Sequence, residues 1–270
     1  MTDKTHVIDE DGEVIIILEN ANAPFAVWSD NEQDVEIPQE LETKNDETAK
    51  NEYRIQVSAK HLMLASPVFK KTLSGGWKES FNFVNKGSVE IKVDSWDIGA
   101  FVIFMKIIHC RLNAIPRKLN LELLSKITAL ADYYGYLDIM SIFRDVWISQ
   151  LRNNFPTSHC RDLLLWLWIS WAFRVHDLFQ KATLTAMAQS NGWITNLGLP
   201  IPEKIIDTMN DQRQSTIYNI VDSLHQKKEN LLHSDCHPCN AALLGNLIME
   251  MNSNGLLSPT PTAPFLGISL

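Results

Sequence analysis

The sequence predicts an α+β fold in which a small β-sheet comes first and helices follow. Three short segments between residues 14 and 93 have the composition and period of strands. From residue 95 onward, apolar residues recur at helical spacing instead. Hydrophobic residues make up 45% of the 270-residue chain, which is enough for a core without disulfide support. We therefore expect a small sheet with packed helices, followed by an all-α C-terminal domain.

The three strand predictions rest on residue type and period. Residues 14–18 are apolar and mostly β-branched, which predicts a strand buried on both faces. Residues 53–57 and 89–93 alternate apolar and polar side chains, which predicts half-buried strands. If the apolar strand lay on an open sheet edge, it would favour association with a second copy of the chain.

Helical patterns surround the third strand and continue after it. A helical hairpin is predicted at residues 59–66 and 68–73, with Pro67 suited to a first helical turn. Ser95 is predicted to cap the next helix. Apolar residues at helical spacing define three further helices: Ile98, Phe101, Val102, Met105 and Ile108; Leu123, Ile127, Leu130, Ala131 and Tyr134; and Met140, Phe143, Trp147 and Leu151.

Shifts in composition divide the chain into segments. Two Asn and a Pro at 153–157 favour a domain boundary there. The helix predicted at 163–173 is apolar nearly all round, so Trp166, Trp168 and Trp171 are predicted to be core residues. The predicted segments are a flexible tail at 1–12, an α+β domain at 13–152 with an acidic insertion at about 29–52, a helical domain at 157–255 and a Pro-containing, extended tail at 256–270.

The formal net charge of −8 is concentrated at the N-terminal end. Up to Glu52 the chain holds 15 acidic and 3 basic residues, whereas the remainder holds 17 acidic and 21 basic. An acidic front end repels phosphate groups and the positive excess behind it is scattered, which argues against direct nucleic-acid binding. The N-terminus has no apolar signal segment, and residues 163–173 are too short to span a bilayer. We therefore expect a cytoplasmic or nuclear protein without membrane contact.

The best candidate metal ligands are His233, Cys236, His237 and Cys239. Thiolates and imidazoles suit Zn²⁺, but all four ligands would have to come from one seven-residue segment. No Cys or His follows Cys239 to complete a second pair. The sequence therefore predicts no metal site and no cofactor. A metal-binding or redox protein that uses Cys236 and Cys239 remains as the last alternative function.

No arrangement of residues predicts catalysis. His109 precedes Cys110, and His159 precedes Cys160, but adjacent residues do not face each other on a helix. The chain also lacks the glycine motifs that bind nucleotides and the Gly-x-Ser-x-Gly turn of a hydrolase. We therefore predict that the chain is not an enzyme and has no catalytic residues.

Several segments of the α+β domain resemble the BTB/POZ family. In that family a strand enters a helical hairpin that ends in Ser-Pro-x-Phe, and a later helix junction reads Leu-Ala-Asp-x-Tyr. The matching segments are residues 57–69, the Trp-Lys-Glu-Ser of 77–80, the third strand at 89–91 and the junction at 130–136. Together with 22–28 and 161–166, the pattern is similar to the BTB/POZ proteins common in filamentous fungi.

The resemblance implies a protein–protein interaction domain that forms homodimers and recruits protein partners. Cullin scaffolds of ubiquitin ligases and transcriptional co-regulators are the partner classes it implies. In cullin-binding members a hydrophobic residue, any residue and Glu follow the hairpin, so Trp77, Lys78 and Glu79 are the predicted partner-binding residues. The structural alternative is that Trp77 covers the domain's own core.

The leading hypothesis is an adaptor that serves as a substrate receptor for a cullin-type ubiquitin ligase. The alternative is a transcriptional regulator that acts through recruited co-repressors. The region after 157 shows no repeat of the length typical of client-binding propellers. The client is therefore not predicted.

Overall fold

The computed structural model confirms the predicted α+β class. A four-stranded sheet is followed, within the part of the chain that the structure describes, by helices alone. The described residues are 4–28, 52–74, 88–233 and 237–270, with the side chains of 4 and 237–239 outside the description.

From β2 to α6 the strands and helices lie close to the predicted segments. The order is β1 (Lys4–Val7), β2 (Val14–Glu19), β3 (Tyr53–Val57), α1 (Ala59–Ala65), α2 (Pro67–Ser74), β4 (Val89–Asp94), α3 (Ile98–Ile108), α4 (Leu121–Tyr133), α5 (Leu137–Leu151), α6 (Arg161–Ala172), α7 (His176–Gln189), α8 (Glu203–Leu232) and α9 (His237–Ser253). Short 3₁₀ turns lie at Leu112–Ala114 and Arg152–Asn154.

The apolar strand β2 lies inside the sheet, whose order is β1-β3-β2-β4. Val14 pairs with Val57 of the antiparallel strand β3 and with Val89 of the parallel strand β4. Both edges of β2 are therefore hydrogen-bonded, and Ile16 and Leu18 are fully buried. Because β2 does not lie on an open edge, its composition gives no reason for self-association.

Strand β1 occupies part of the segment that the sequence predicts to be a flexible tail. It pairs in parallel with β3, with Thr5 opposite Arg54 and Val7 opposite Gln56. The ring of His6 stacks on that of Tyr53 at a centroid distance of 6.2 Å. This segment is short and mostly polar, as edge strands often are, so it carries no strand period that could have been recognised.

Helix α3 is capped by Asp97 and not, as predicted, by Ser95. Asp97 Oδ1 accepts a hydrogen bond from the Ala100 amide at 2.9 Å. Ser95 instead has a left-handed backbone with φ 64°, and its hydroxyl donates to Asp94 Oδ2 at 2.7 Å. Ser95 therefore belongs to the turn that leaves β4, and the helix cap lies two residues later than predicted.

Helix α6 is buried almost all round. Residues 163–170 are all buried, and the Trp168 indole donates to the carbonyl of Ser125 at 3.3 Å. Trp171 departs from the predicted core position, since 40% of it is exposed and its ring contacts Phe179 at 5.6 Å. Among the described residues, no helix combines the length and the apolar composition needed to cross a membrane.

The described residues group into two compact units. α6, which the sequence places in the C-terminal domain, groups with the first unit. The first unit takes residues up to Pro156, Cys160–Phe179 and Leu197–Pro200, and the second takes Thr157–His159, Gln180–Asn196 and Ile201–Leu270.

The segment after α9 is docked within the second unit, where the sequence predicts an extended tail. Phe265 is buried in a cluster with Ile217 and Val221 of α8. The Gly267 amide donates to the carbonyl of Asn191 at 2.6 Å, and the Leu270 amide to that of Ala188 at 3.0 Å. Apolar side chains on both sides of the prolines, Leu256, Phe265 and Ile268, therefore pack this segment against helix α8 of its own unit.

Arg213 of α8 holds this docked segment through its guanidinium group. Only 2% of the residue is exposed. The guanidinium donates to the carbonyls of Pro264 and Phe265 at 3.1 Å and of Ile268 at 2.6 Å. It also donates to the carbonyl of Ser190 at 3.2 Å, so one side chain joins α8, the residue after α7 and the C-terminal segment.

Candidate partner-binding site

The predicted partner-binding residues Trp77, Lys78 and Glu79 lie outside the described residues. Helix α2 ends at Ser74, shortly before them. The structure therefore describes the helical hairpin from which the predicted binding segment leaves, and the role of the three residues stays a prediction.

The hairpin turn packs on the junction between α4 and α5. The Ser66 hydroxyl donates to the carbonyl of Tyr134 at 2.6 Å and accepts a hydrogen bond from the Phe69 amide at 3.3 Å. The rings of Phe69 and Tyr134 stack at 4.3 Å with an interplanar angle of 8°. Burial raises the pKa of the Tyr134 phenol well above its ordinary value of 10.0. Two sequence segments that carry the resemblance, 57–69 and 130–136, thus meet in the core.

Gly135 makes this close approach possible. It has φ 68° at the end of α4, a left-handed conformation that favours glycine. A Cβ at this position would lie 2.9 Å from Cγ of Pro67. Both the backbone conformation and the space therefore require glycine, and Pro67 is the residue that fills the space.

Two further segments that carry the resemblance, residues 22–28 and 161–166, meet at Arg161. Its guanidinium donates to the carbonyls of Phe25 and Ala26 at 2.9 and 2.8 Å and to Glu122 Oε2 at 3.0 Å. Lys126 adds contacts of 2.7 Å with Glu122 and 3.0 Å with Asp97. This network fixes the loop before residue 29 against α4 and α6.

The entry to the hairpin is fixed by side chains from other elements. Ser58 precedes α1 but makes no side-chain cap. Its amide donates instead to Nε2 of His109 at 3.0 Å, while the Ala59 amide donates to Oε2 of Glu13 at 3.1 Å. His109 Nδ1 in turn donates to the carbonyl of Met105 at 2.8 Å.

The two hydrogen bonds of the His109 ring require a neutral imidazole, because Nε2 must accept from Ser58 while Nδ1 donates to Met105. The ring is buried and stacks on that of His61 at 4.9 Å. Burial is the largest cause that lowers its pKa below 6.5, and the charges of His61 and Arg111 act in the same direction, whereas the Met105 hydrogen bond and Asp9 oppose them. His109 is therefore a structural residue whose role the sequence analysis did not find.

Helix α5 exposes an apolar stripe that the sequence analysis overlooked. Ile139, Ile142 and Val146 are 46, 72 and 49% exposed, and we call these three residues the α5 stripe. Their i, i+3, i+7 spacing places them on one helix face. That spacing is present in the sequence, but the pattern of Met140, Phe143, Trp147 and Leu151 predicts a different apolar face for this helix, and Met140 and Trp147 of that face are buried.

No family model matches the chain, and no curated protein matches it. Function must therefore be argued from the residues and their geometry.

The candidate metal ligands are only partly described. His233 is exposed at the end of α8, where its Nδ1 donates to the carbonyl of Glu229 at 2.9 Å. Cys236 lies outside the described residues, as do the side chains of His237 and Cys239 in the first turn of α9. Among the side chains that are described, no cluster of three or more His, Cys, Asp or Glu could hold a metal ion.

The other two cysteines are not part of a described catalytic arrangement. Cys110 is exposed and Cys160 is half-buried, and both are free thiols. The adjacent His109 uses both ring nitrogens in the hydrogen bonds to Ser58 and Met105, so its ring is not available as a base for Cys110.

Proposed function

We propose that the chain is a protein–protein interaction adaptor whose first unit is a BTB/POZ-like domain. The observation that carries the proposal is the contact of Ser66, Pro67 and Phe69 with Tyr134 and Gly135. The residues that resemble the family's two most distinctive motifs are the ones that bond, stack and leave space for each other. Their pattern is thus explained by one packing arrangement, which supports the domain assignment.

The most concrete form of this function is a substrate receptor for a cullin-type ubiquitin ligase. In this form Trp77 fills an apolar pocket of the scaffold, and the Glu79 carboxylate accepts a hydrogen bond from it. An aromatic anchor beside a charged group is the usual composition of an interface hot spot. The described hairpin supports this proposal because α1 is fixed at both of its ends, by His109 and Glu13 at its start and by Tyr134 at the turn into α2.

The adaptor function implies a homodimer in the cytoplasm or the nucleus. The α5 stripe supports an interaction role, because contiguous exposed apolar residues mark surfaces that bind other proteins.

Affinity capture of the intact chain tests this function. The tagged wild type and a Trp77→Ala/Glu79→Ala variant are captured from cells, and the bound proteins are identified by mass spectrometry. We expect a cullin scaffold to be enriched by the wild type and lost from the variant. Enrichment of co-repressors instead would favour the transcriptional regulator, and capture of neither class would contradict both.

A further inference from the structure

We propose that α5 and the turn between α6 and α7 bind an acidic, amphipathic helical segment of a partner protein. This inference rests on the adaptor function and adds a second contact surface to it. It is drawn from an exposed apolar stripe and an arginine-lined groove on the same helix of the first unit.

The α5 stripe supplies the apolar half of this surface. A neighbouring face of the same helix already buries Met140, Trp147 and Ile148 in the core. The helix thus has more apolar surface than its own unit covers. Three exposed branched residues at i, i+3 and i+7 match the spacing by which an amphipathic helix packs on another helix.

An open groove of about 750 Å³ lies between α5 and the turn that joins α6 to α7. Asp145 and Ser149 of its lining lie within one helical turn of Val146, so the groove borders the stripe. Three arginines, Arg144, Arg152 and Arg174, line the groove.

Two of these arginines are matched by carboxylates of the same lining. Arg144 Nε lies 2.8 Å from Asp145 Oδ1, and Arg152 Nη1 lies 3.0 Å from Asp177 Oδ2. Arg174 makes no ion pair with another described residue, so the lining has an excess of one positive charge. A partner that brings carboxylates to this groove would neutralise the excess.

Arg174 has a backbone conformation that glycine usually takes at the end of a helix. Arg174 follows the end of α6 with φ 56°, and the Val175 amide after it donates to the carbonyl of Ser170 at 2.9 Å. The same helix ending after α4 is made by a glycine, Gly135, with φ 68°. An arginine in this conformation is strained where glycine would not be, as is Cys110 at the end of α3.

The surface is tested with a labelled synthetic peptide helix that carries Leu at i, i+3 and i+7 and Glu along one flank. A second peptide has Lys in place of each Glu, and binding to the intact protein is followed by fluorescence anisotropy. We expect the Glu peptide to bind at least about tenfold more tightly than the Lys peptide at low salt. Arg174→Gly and Ile142→Ser are each expected to weaken binding of the Glu peptide by about tenfold or more.

Cys110→Gly is the matched control. Cys110 follows α3 with φ 55°, so glycine relieves the same backbone strain without removing charge from the groove. Both glycine variants are expected to melt at a higher temperature than the wild type. Only Arg174→Gly is expected to bind the Glu peptide less tightly. A variant that binds less tightly is thereby distinguished from one that is less well folded.

Equal binding of the two peptides, or an Arg174→Gly variant that binds as the wild type does, would overturn the inference. So would loss of a dimer on Ile142→Ser without any peptide binding, because a second copy would then be what covers the stripe. Failure here is distinguishable from failure of the adaptor function, since scaffold binding through Trp77 and Glu79 is measured separately. If the protein binds the scaffold but does not prefer the Glu peptide, only the proposed α5 surface is contradicted.

Discussion

The buried imidazole of His109 makes the stability of the first unit depend on pH. Its pKa is lowered in the folded chain below the ordinary value of 6.5, mainly by burial, so the unfolded chain binds this proton more readily. The stabilisation is fully present above the unfolded value. It is lost as the pH falls from about 6.5 toward the lower pKa of the folded state. Protonation would also place an Nε2 proton against the amide proton of Ser58.

We expect the free energy of unfolding to fall more between about pH 7.5 and about pH 5.5 in the wild type than in His109→Gln. The Gln oxygen can still accept from Ser58, but the side chain does not titrate. At the higher pH the variant is expected to be less stable by about 1 kcal/mol, because the hydrogen bond to Met105 is lost. Urea unfolding at both pH values measures this difference. Identical pH dependence of the two proteins would show that His109 is not the titrating group.

Gly135 is the residue at which backbone conformation and packing coincide. Gly135→Ala is expected to destabilise the protein by about 2 kcal/mol or more, since it adds left-handed strain to an overlap with Pro67. Thermal melts measure the change. Gly245→Ala is the control, because this glycine lies inside α9 with open space around it, and alanine there is expected to stabilise the helix slightly. Equal effects at both sites would contradict the packing of the hairpin turn on Gly135.

At the scale of elements, the docked C-terminal segment depends on Arg213. Lysine cannot reproduce the forked contacts to Ser190, Pro264, Phe265 and Ile268. We expect Arg213→Lys to cost about 3 kcal/mol or more in unfolding free energy, because buried carbonyls are left without donors.

Hydrogen exchange at the Gly267 and Leu270 amides reports this segment directly, and both amides are expected to lose protection in Arg213→Lys. The exposed Arg117→Lys serves as the control and is expected to change stability by less than about 0.5 kcal/mol. Unchanged protection at both amides would contradict the role of Arg213 in holding the docked segment.

Elements whose apolar residues recur at a regular spacing were predictable from the sequence. Elements that depend on contacts with distant parts of the chain were not. β3 lies at the predicted residues because its alternation matches one buried face. Strand β1 and the docked segment after α9 take their order from long-range partners, β3 for one and Arg213 for the other. Local sequence does not encode such partners.

The site shows the same division between local and long-range signals. The α5 stripe has a readable helical spacing and was missed only because a neighbouring face of the same helix is also apolar. The roles of His109 and Glu13 depend on contacts with Ser58 and Ala59 across more than 40 residues. Spacing along the chain could not have revealed them.

At the scale of the whole molecule, the adaptor function predicts a homodimer. The central position of β2 removes one argument for self-association, so this prediction now rests on the domain proposal. Light scattering of the purified chain is expected to give twice the 30.7 kDa of one chain at micromolar concentration. A mass of one chain across that range would contradict the homodimer.

The most direct test of the adaptor function is a binding titration beside a thermal melt for Trp77→Ala and Glu79→Ala. With a purified cullin-3-type scaffold, Trp77→Ala is expected to weaken binding by about 2 kcal/mol or more and to leave the melting temperature nearly unchanged. Glu79→Ala is expected to weaken binding without destabilising the fold. Lys71→Ala, on the exposed side of α2, should match the wild type in both measurements. The adaptor account is contradicted if the scaffold binds wild type and both variants equally or binds none of them, or if Trp77→Ala instead costs about 3–5 kcal/mol of stability, as loss of a core residue would.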